Sequence, residues 1–378
     1  MNPDRICKKY EVGVKRFSMV DEDRAESLGI ANDSQSEGIT PANGYRKMSV
    51  ELFYPVAREN VEGLVKSQYV SDVKAAAIGK AFHIPKSAMA HNEIDAYVDA
   101  PLLSERFPLL LFSHGYGSFQ EANSHLCMEI AANGYFVASI GHAYEAVVNE
   151  YDDGSANYMD ETIKKRMYAK GVWKALKAQK KIIKCQGTIE EIDELFRTFK
   201  NEHTPFLNER VKVWAQDTIC VINRLKEDFS NHIDFAGGVA VSGHSLGGAT
   251  AFYLSQTCDD ICCGLNIDGA LFGSDDNAVL KKPFYQIACR ENFNVEQSML
   301  LRREVPVYTA VFDGMKHLGF TDIKFNISIG ALVGKMKSEV MHTHLVECHM
   351  YMLDKYLKGK DINLNESHDD GVTITAYE

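Results

Sequence analysis

A chain of 378 residues with 45% hydrophobic and 25% charged side chains, no low-complexity tract and no internal repeat has room for one large α/β domain or two ordinary ones. Its formal charge of −11 and pI near 5.7 argue against a general nucleic-acid binder, because a phosphate backbone selects for clustered Lys and Arg without an acidic excess. The chain holds no run of about 18 apolar residues, so nothing in it reads as a membrane span.

In chain order, residues 10–20 and 48–55 read as strands of a hairpin or meander, the second carrying Val50, Leu52 and Tyr54 in alternation. Residues 57–106 read as irregular around a short Ala-rich helix over 73–82. The run Phe107-Pro-Leu-Leu-Leu-Phe-Ser113 is short, continuous and apolar, which is the pattern of a strand buried on both faces. A helix over 119–133, closed by Gly134, and a strand over 135–140 follow.

An amphipathic helix is expected over 208–227, with Val211, Trp214, Ala215, Thr218, Ile222 and Leu225 on one face. Strands over 239–242, 262–267, 284–289 and 305–312 then alternate with helices over 249–256 and 341–357. Alternation of this kind implies a mostly parallel sheet with helices on both faces, and one domain over 1–378 is the economical reading. The stretch 143–207 breaks the rhythm and is expected to form a helical cap or lid. It carries nine Lys or Arg between 164 and 184, then an acidic amphipathic helix over 189–199. With Trp173, the basic piece suggests peripheral contact with an anionic lipid surface.

Nine cysteines, an odd number without framework spacing, read as reduced thiols. With a polar first ten residues unlike a secretory signal, they point to a cytoplasmic protein.

Chemistry concentrates at Gly243-His244-Ser245-Leu246-Gly247, a G-x-S-x-G pattern behind an apolar strand and ahead of a helix. Serine on such a strand-to-helix turn presents its hydroxyl outward, and the flanking glycines leave backbone room. A serine hydroxyl needs a base, and the base needs an acid to orient it. His317, in the Gly-flanked loop Asp313-Gly-Met-Lys-His317-Leu-Gly, is the favoured base. His244 sits beside the nucleophile but points elsewhere on the elbow, and His114 and His142 belong to other features. His342, His344 and His349 share the last helix with Cys348 but do not form a convincing metal set.

Asp268, at the end of the strand after the elbow helix, is the favoured acid, because strand ends on one sheet edge converge on one crevice. Asp313 is the rival, four residues from His317. The loop Ser113-His114-Gly115-Tyr116-Gly117 follows a buried strand and supplies a candidate oxyanion hole, with the amides of Tyr116 and Leu246 as donors. Neither a metal nor an organic cofactor is required.

These residues resemble the α/β-hydrolases of the plasma and type II platelet-activating factor acetylhydrolase family. Residues 107–119 look like that family's oxyanion strand and loop, and 241–250 like its elbow. Asp268 in Gly264-Leu-Asn-Ile-Asp268 and His317 in Lys316-His-Leu-Gly-Phe-Thr-Asp322 match its acid and its histidine loop. The likeness covers residues 106–322, and it departs at Leu246 and Tyr116, where the family usually carries phenylalanine and leucine.

The resemblance implies an α/β-hydrolase fold and hydrolysis of a carboxylic ester with a short or modest acyl group, including short-chain or oxidised phospholipids. Amide, polyester or acyl-transfer activity on the same triad stays open, as does a non-catalytic binding protein on the same fold. The expected partner is a small-molecule or lipid ester, and the oligomeric state is left open.

Overall fold

The computed structural model describes residues 8–26, 44–86, 89, 91–160, 172–326, 329–364 and 366–378. Its chain opens with a long antiparallel pair, β1 (Glu11–Ala25) and β2 (Tyr45–Val56), in unbroken register from Glu11 opposite Val56 to Asp21 opposite Arg46. Both strands run further into the connection between them than the expected bounds, β1 on to Ala25 and β2 from Tyr45. β3 (Lys66–Gln68) and β4 (Glu93–Val98) extend this edge. Between them, α1 (Asp72–Phe82) starts where the Ser71 hydroxyl accepts from the Lys74 amide and stops at His83, whose φ of 57° is left-handed.

The centre is built from β5 (Phe107–Ser113), β6 (Phe136–His142), β10 (Val239–His244), β11 (Ile261–Ile267), β12 (Phe284–Cys289) and β13 (Val307–Phe312). Every one of the five neighbouring pairs β6-β5, β5-β10, β10-β11, β11-β12 and β12-β13 is parallel. The helices between them are α2 (Ser124–Ala132), α5 (Pro205–Phe229) and α6 (Leu246–Thr257), with α7 (Ser338–Tyr356) closing the series. Two-residue β9 (Ile233–Asp234) pairs with the start of β5.

Side-chain alternation assigns the two faces. Leu110 and Phe112 of β5 join α2 and α7 residues such as Leu126 and Met352 in one core, whereas Leu109 and Leu111 meet Ile222 and Leu225 of α5 in the other. Burying each such side chain is worth about 1.5–3 kcal/mol, so a strand apolar on both faces is held from both sides. At the far edge, β14 (Ser367–Asp369) and β15 (Val372–Tyr377) add an antiparallel hairpin to β13 that the sequence reading did not contain.

Within 143–207 the described residues form a hairpin of β7 (Val148–Glu150) and β8 (Ala156–Tyr158), then α3 (Val172–Ile183) and α4 (Ile189–His203). Residues 164–171 of the basic piece lie outside the described residues. A capping box of Thr188 and Glu191 starts α4, and its Ile192, Phe196 and Phe199 pack with Ile182 against Leu280, Phe284 and Met299. The amphipathic patterns of α4 and α5 thus continue past their expected ends, to His203 and Phe229. Among the described residues no helix is long and apolar enough to cross a membrane, and the eight described cysteines are free thiols.

Candidate active site

Ser245 links β10 to α6 with φ 56° and ψ −119°, a conformation that L side chains rarely adopt. Two contacts hold it there: its amide donates to the Ile267 carbonyl at 2.9 Å and its carbonyl accepts from Ala249 at 3.0 Å. The flanking glycines are sterically required. A Cβ on Gly243 would land on the Gly247 backbone, and one on Gly247 would land on the Ser113 carbonyl oxygen. Elbow, β5 and α6 therefore approach to backbone contact only because neither position has a side chain.

His317 opens a short helical turn after β13, and its side chain remains about two-fifths exposed. Its Nε2 lies 3.0 Å from Ser245 Oγ, and its Nδ1 lies 2.7 Å from Asp268 Oδ2. The turn is fastened to the N-terminal side of α2: Asn123 Nδ2 donates to the Phe320 carbonyl at 2.8 Å, and the Asp322 amide donates to the Ala122 carbonyl at 2.7 Å.

Asp268 is fully buried at the end of β11. Burial alone would raise its carboxyl; the bond and charge of His317, the Cys289 amide at 2.7 Å and Asn292 Nδ2 at 2.8 Å together lower it below the usual range. Asp313 instead faces Arg290, with Nε to Oδ1 at 2.8 Å. A second carboxyl, Glu296, is buried behind Asp268. Burial first, and then the Asp268 charge, push it well above its ordinary value, and it accepts from Gln286 Nε2.

The loop after β5 abuts Ser245. A Cβ on Gly115 would stand 3.0 Å from His244 Nδ1 and 3.2 Å from Ser245 Cβ. The Gly117 amide donates to the Glu145 carbonyl at 2.8 Å and the Ser118 amide to the Gly115 carbonyl at 3.0 Å, which leaves the Tyr116 amide between them. Leu246 is the first residue of α6, so its amide falls outside the helix's own carbonyl ladder. His244 is turned away from the crevice: Nε2 donates to the His317 carbonyl at 3.0 Å, and burial, with the neighbouring His317, takes it down to about 3. His114 is buried beneath the loop. Among the described residues no group of three or more His, Cys, Asp or Glu could hold a metal ion.

A family profile described as platelet-activating factor acetylhydrolase, isoform II, matches residues 27–369. The chain belongs to this family. Two relatives are the platelet-activating factor acetylhydrolases of Cavia porcellus, 26% identical over 72% of this chain and 63% of that protein, and of Gallus gallus, 24% identical over 71% and 66%. The chain thus spans less than two thirds of the length of these curated relatives. A solved ferulic acid esterase from Streptomyces cinnamoneus superposes with a TM-score of 0.72, covering 97% of this chain and 96% of that one at 19% identity. This places the family member on an α/β-hydrolase fold.

Sequence reasoning did not name the groups that support these residues. Asn292 and Glu296 follow β12 in a segment with no motif. Beneath the loop, Asp217 takes Arg46 Nε and Nη2 at 3.1 and 2.7 Å, and Glu145 takes both Arg210 Nε and Nη2 at 2.7 Å. A signal for half of this cluster was present: Arg210 and Asp217 fall within the apolar stripe of α5, where an unpaired charge would be too costly to keep.

Proposed function

We propose that the protein is a serine hydrolase that cleaves a carboxylic ester with a short or modest acyl group, with Ser245 as nucleophile. The observation that carries this reading is the continuous chain from Ser245 Oγ through His317 to Asp268, at 3.0 and 2.7 Å, on a strained elbow. Family membership and the names of the relatives support an ester as substrate, and short-chain or oxidised phospholipids are the proposed class.

In this mechanism Asp268 fixes the proton of His317 on Nδ1, so Nε2 is free to take the Ser245 proton as Oγ attacks the ester carbonyl. The amides of Tyr116 and Leu246 receive the negative charge that develops on the carbonyl oxygen. His317 then protonates the leaving alcohol, and by the reverse sequence activates the water that releases the acid from Ser245. The 143–207 insertion is proposed as a cap; its contact with the oxyanion loop through Glu145 and Met159 supports that role.

A fluorophosphonate probe tests the assignment. Wild type is expected to be labelled and to hydrolyse a short acyl ester, and Ser245→Ala to do neither. Labelling of Ser245→Ala at the wild-type level would overturn it. Matched ester and amide chromogens distinguish the proposed esterase from amide chemistry on the same triad.

A second reading concerns where the substrate is met. On α3, Trp173 is 86% exposed and Leu176 50%, and with Lys177, Lys180 and Lys184 they share one face at helical spacing. No carboxylate pairs with these lysines among the described residues. Such a face fits an anionic lipid surface, each Lys contributing about 1 kcal/mol near it. Co-sedimentation with vesicles of phosphatidylserine and phosphatidylcholine is expected to fall with added salt and with Lys177→Glu plus Lys180→Glu; insensitivity to both would sink the idea.

A further inference from the structure

Beneath the loop that carries Tyr116 lies a second Ser–His–Asp chain, closed to solvent. His142 Nδ1 is 2.7 Å from Asp217 Oδ2 and its Nε2 is 3.1 Å from Ser113 Oγ. His142 and Asp217 are fully buried and Ser113 is nearly so. Beside it, His114 Nδ1 lies 2.7 Å from the Gly115 carbonyl, while its Nε2 accepts from the His142 amide at 3.4 Å. The Trp214 indole stacks on the His142 ring at 3.8 Å and 7°, and meets the His114 ring edge-on at 5.1 Å.

These partners allow one tautomer for each ring. The Gly115 carbonyl can only accept, so His114 Nδ1 must carry the hydrogen; the His142 amide can only donate, so His114 Nε2 must be bare. Asp217 demands the hydrogen on His142 Nδ1, which leaves Nε2 to accept from the Ser113 hydroxyl. Burial, reinforced for His114 by the neighbouring His142, lowers both rings, His114 down to about 3, so neither ring gains a second hydrogen near neutral pH.

The consequence falls on one peptide unit. The Gly115 carbonyl and the Tyr116 N–H belong to the same planar trans group and point in opposite directions. Whatever holds that oxygen therefore aims that N–H. The oxygen is held by His114 Nδ1 and the Ser118 amide, and the two ends of the loop are held by Ser113 Oγ on His142 and by the Gly117 amide on the Glu145 carbonyl.

We propose that His114 and His142 are positioning residues that hold the Gly115–Tyr116 peptide with its N–H toward Ser245, His114 by gripping the Gly115 carbonyl and His142 by gripping Ser113. This rests on the esterase reading above and assigns a role to groups that touch no reacting atom. Asp217 anchors the pair, because Arg46 and Arg24 both hold its carboxylate. Free of the grip, the peptide can rotate, and the oxyanion loses a donor that is aimed before the reaction begins.

The test uses the full chain and a short acyl p-nitrophenyl ester. His114→Phe removes the donor and keeps the bulk; kcat is expected to fall on the order of 10²- to 10³-fold, with KM within about threefold, as for loss of one oxyanion donor. His114→Asn sets an amide nitrogen where Nδ1 was, and is expected to recover most of the loss. Affinity for a trifluoromethyl ketone, which mimics the tetrahedral state, should fall in step with kcat/KM. Ser113→Ala gives an independent cut with a smaller loss, and keeps the test alive if His114→Phe does not fold.

Equal losses in His114→Phe and His114→Asn, with raised KM and lowered Tm, would mean packing alone and would overturn the proposal. So would full activity in His114→Phe. Failure of the esterase reading looks different: wild type itself would then be inactive, or Ser245→Ala as active as wild type.

Discussion

Asp268 is held by bonds to both of its carboxylate oxygens. Its Oδ1 accepts from the Cys289 amide, and its Oδ2 accepts from Asn292 and His317. Such a site holds a carboxylate in one rotamer and keeps it charged at neutral pH, which is the condition for fixing the His317 proton on Nδ1. In Asp268→Asn the Oδ1 position can remain an acceptor for Cys289, and the new amide nitrogen then faces Nδ1 and Asn292, whose own amide has to flip to present its oxygen. The ring answers by moving its hydrogen to Nε2, where it blocks the proposed proton transfer from Ser245. A loss in kcat on the order of 10⁴ is expected, with substrate affinity little changed and the fold intact. Steady-state kinetics on a short acyl ester check it, and a variant within tenfold of wild type would remove Asp268 from the mechanism.

Legibility differed from element to element, for physical reasons. The central strands were readable because a strand buried on both faces has to be apolar throughout: β5 and β12 occupy the positions their sequences mark, 107–113 and 284–289. Ser245, Asp268 and His317 were nameable because parallel strands end on one edge, so a residue's place in the alternation is also its place in the crevice. The elbow helix begins three residues earlier than its apolar pattern, at Leu246, since Gly247 and Gly248 carry no side chain from which a pattern could be read. Edge strands left weaker marks. β14 is wholly exposed and β15 is mostly half-buried, so neither needs an apolar run, and β3 is three residues long. The buried support of the loop after β5 was hidden for another reason. Its partners lie far apart in sequence, Arg46 from Asp217 by 171 residues, and no local pattern encodes a pairing over that distance.

Over the whole molecule, buried histidines set how stability responds to acid. His114, His142, His244 and His349 are each shut away from water, and burial is the first cause that lowers each, to about 3 for His114 and His244 and about 4 for His349. In the unfolded chain each takes up a proton near pH 6.5, whereas in the fold it does not. Their contribution is thus present above pH 6.5 and is lost as pH falls from there toward the folded values, by about 1.4 kcal/mol per pH unit for each ring. Three groups oppose them. His125 is lowered by burial but raised overall by Asp322, and burial raises Glu296 and Glu51, so the stability these three give is lost as pH rises. Four buried rings, with half-buried His342 lowered by burial in the same sense, outnumber these three groups and leave a net loss on the acid side that begins well above the carboxylate range. The free energy of unfolding in urea is therefore expected to fall between pH 7.5 and pH 5.5, with net proton uptake on unfolding at the lower pH. His349 offers the clean variant: its Nε2 meets Ser242 Oγ at 2.8 Å and its Nδ1 the Leu345 carbonyl at 2.7 Å, and it has no part in the proposed chemistry. His349→Phe is expected to cost stability at every pH by leaving Ser242 unpaired, while flattening the slope below pH 6 by one group, about 1.4 kcal/mol per unit. A wild-type slope of zero over this range, or an unchanged slope in His349→Phe, would mean that these rings do not stay neutral inside the fold.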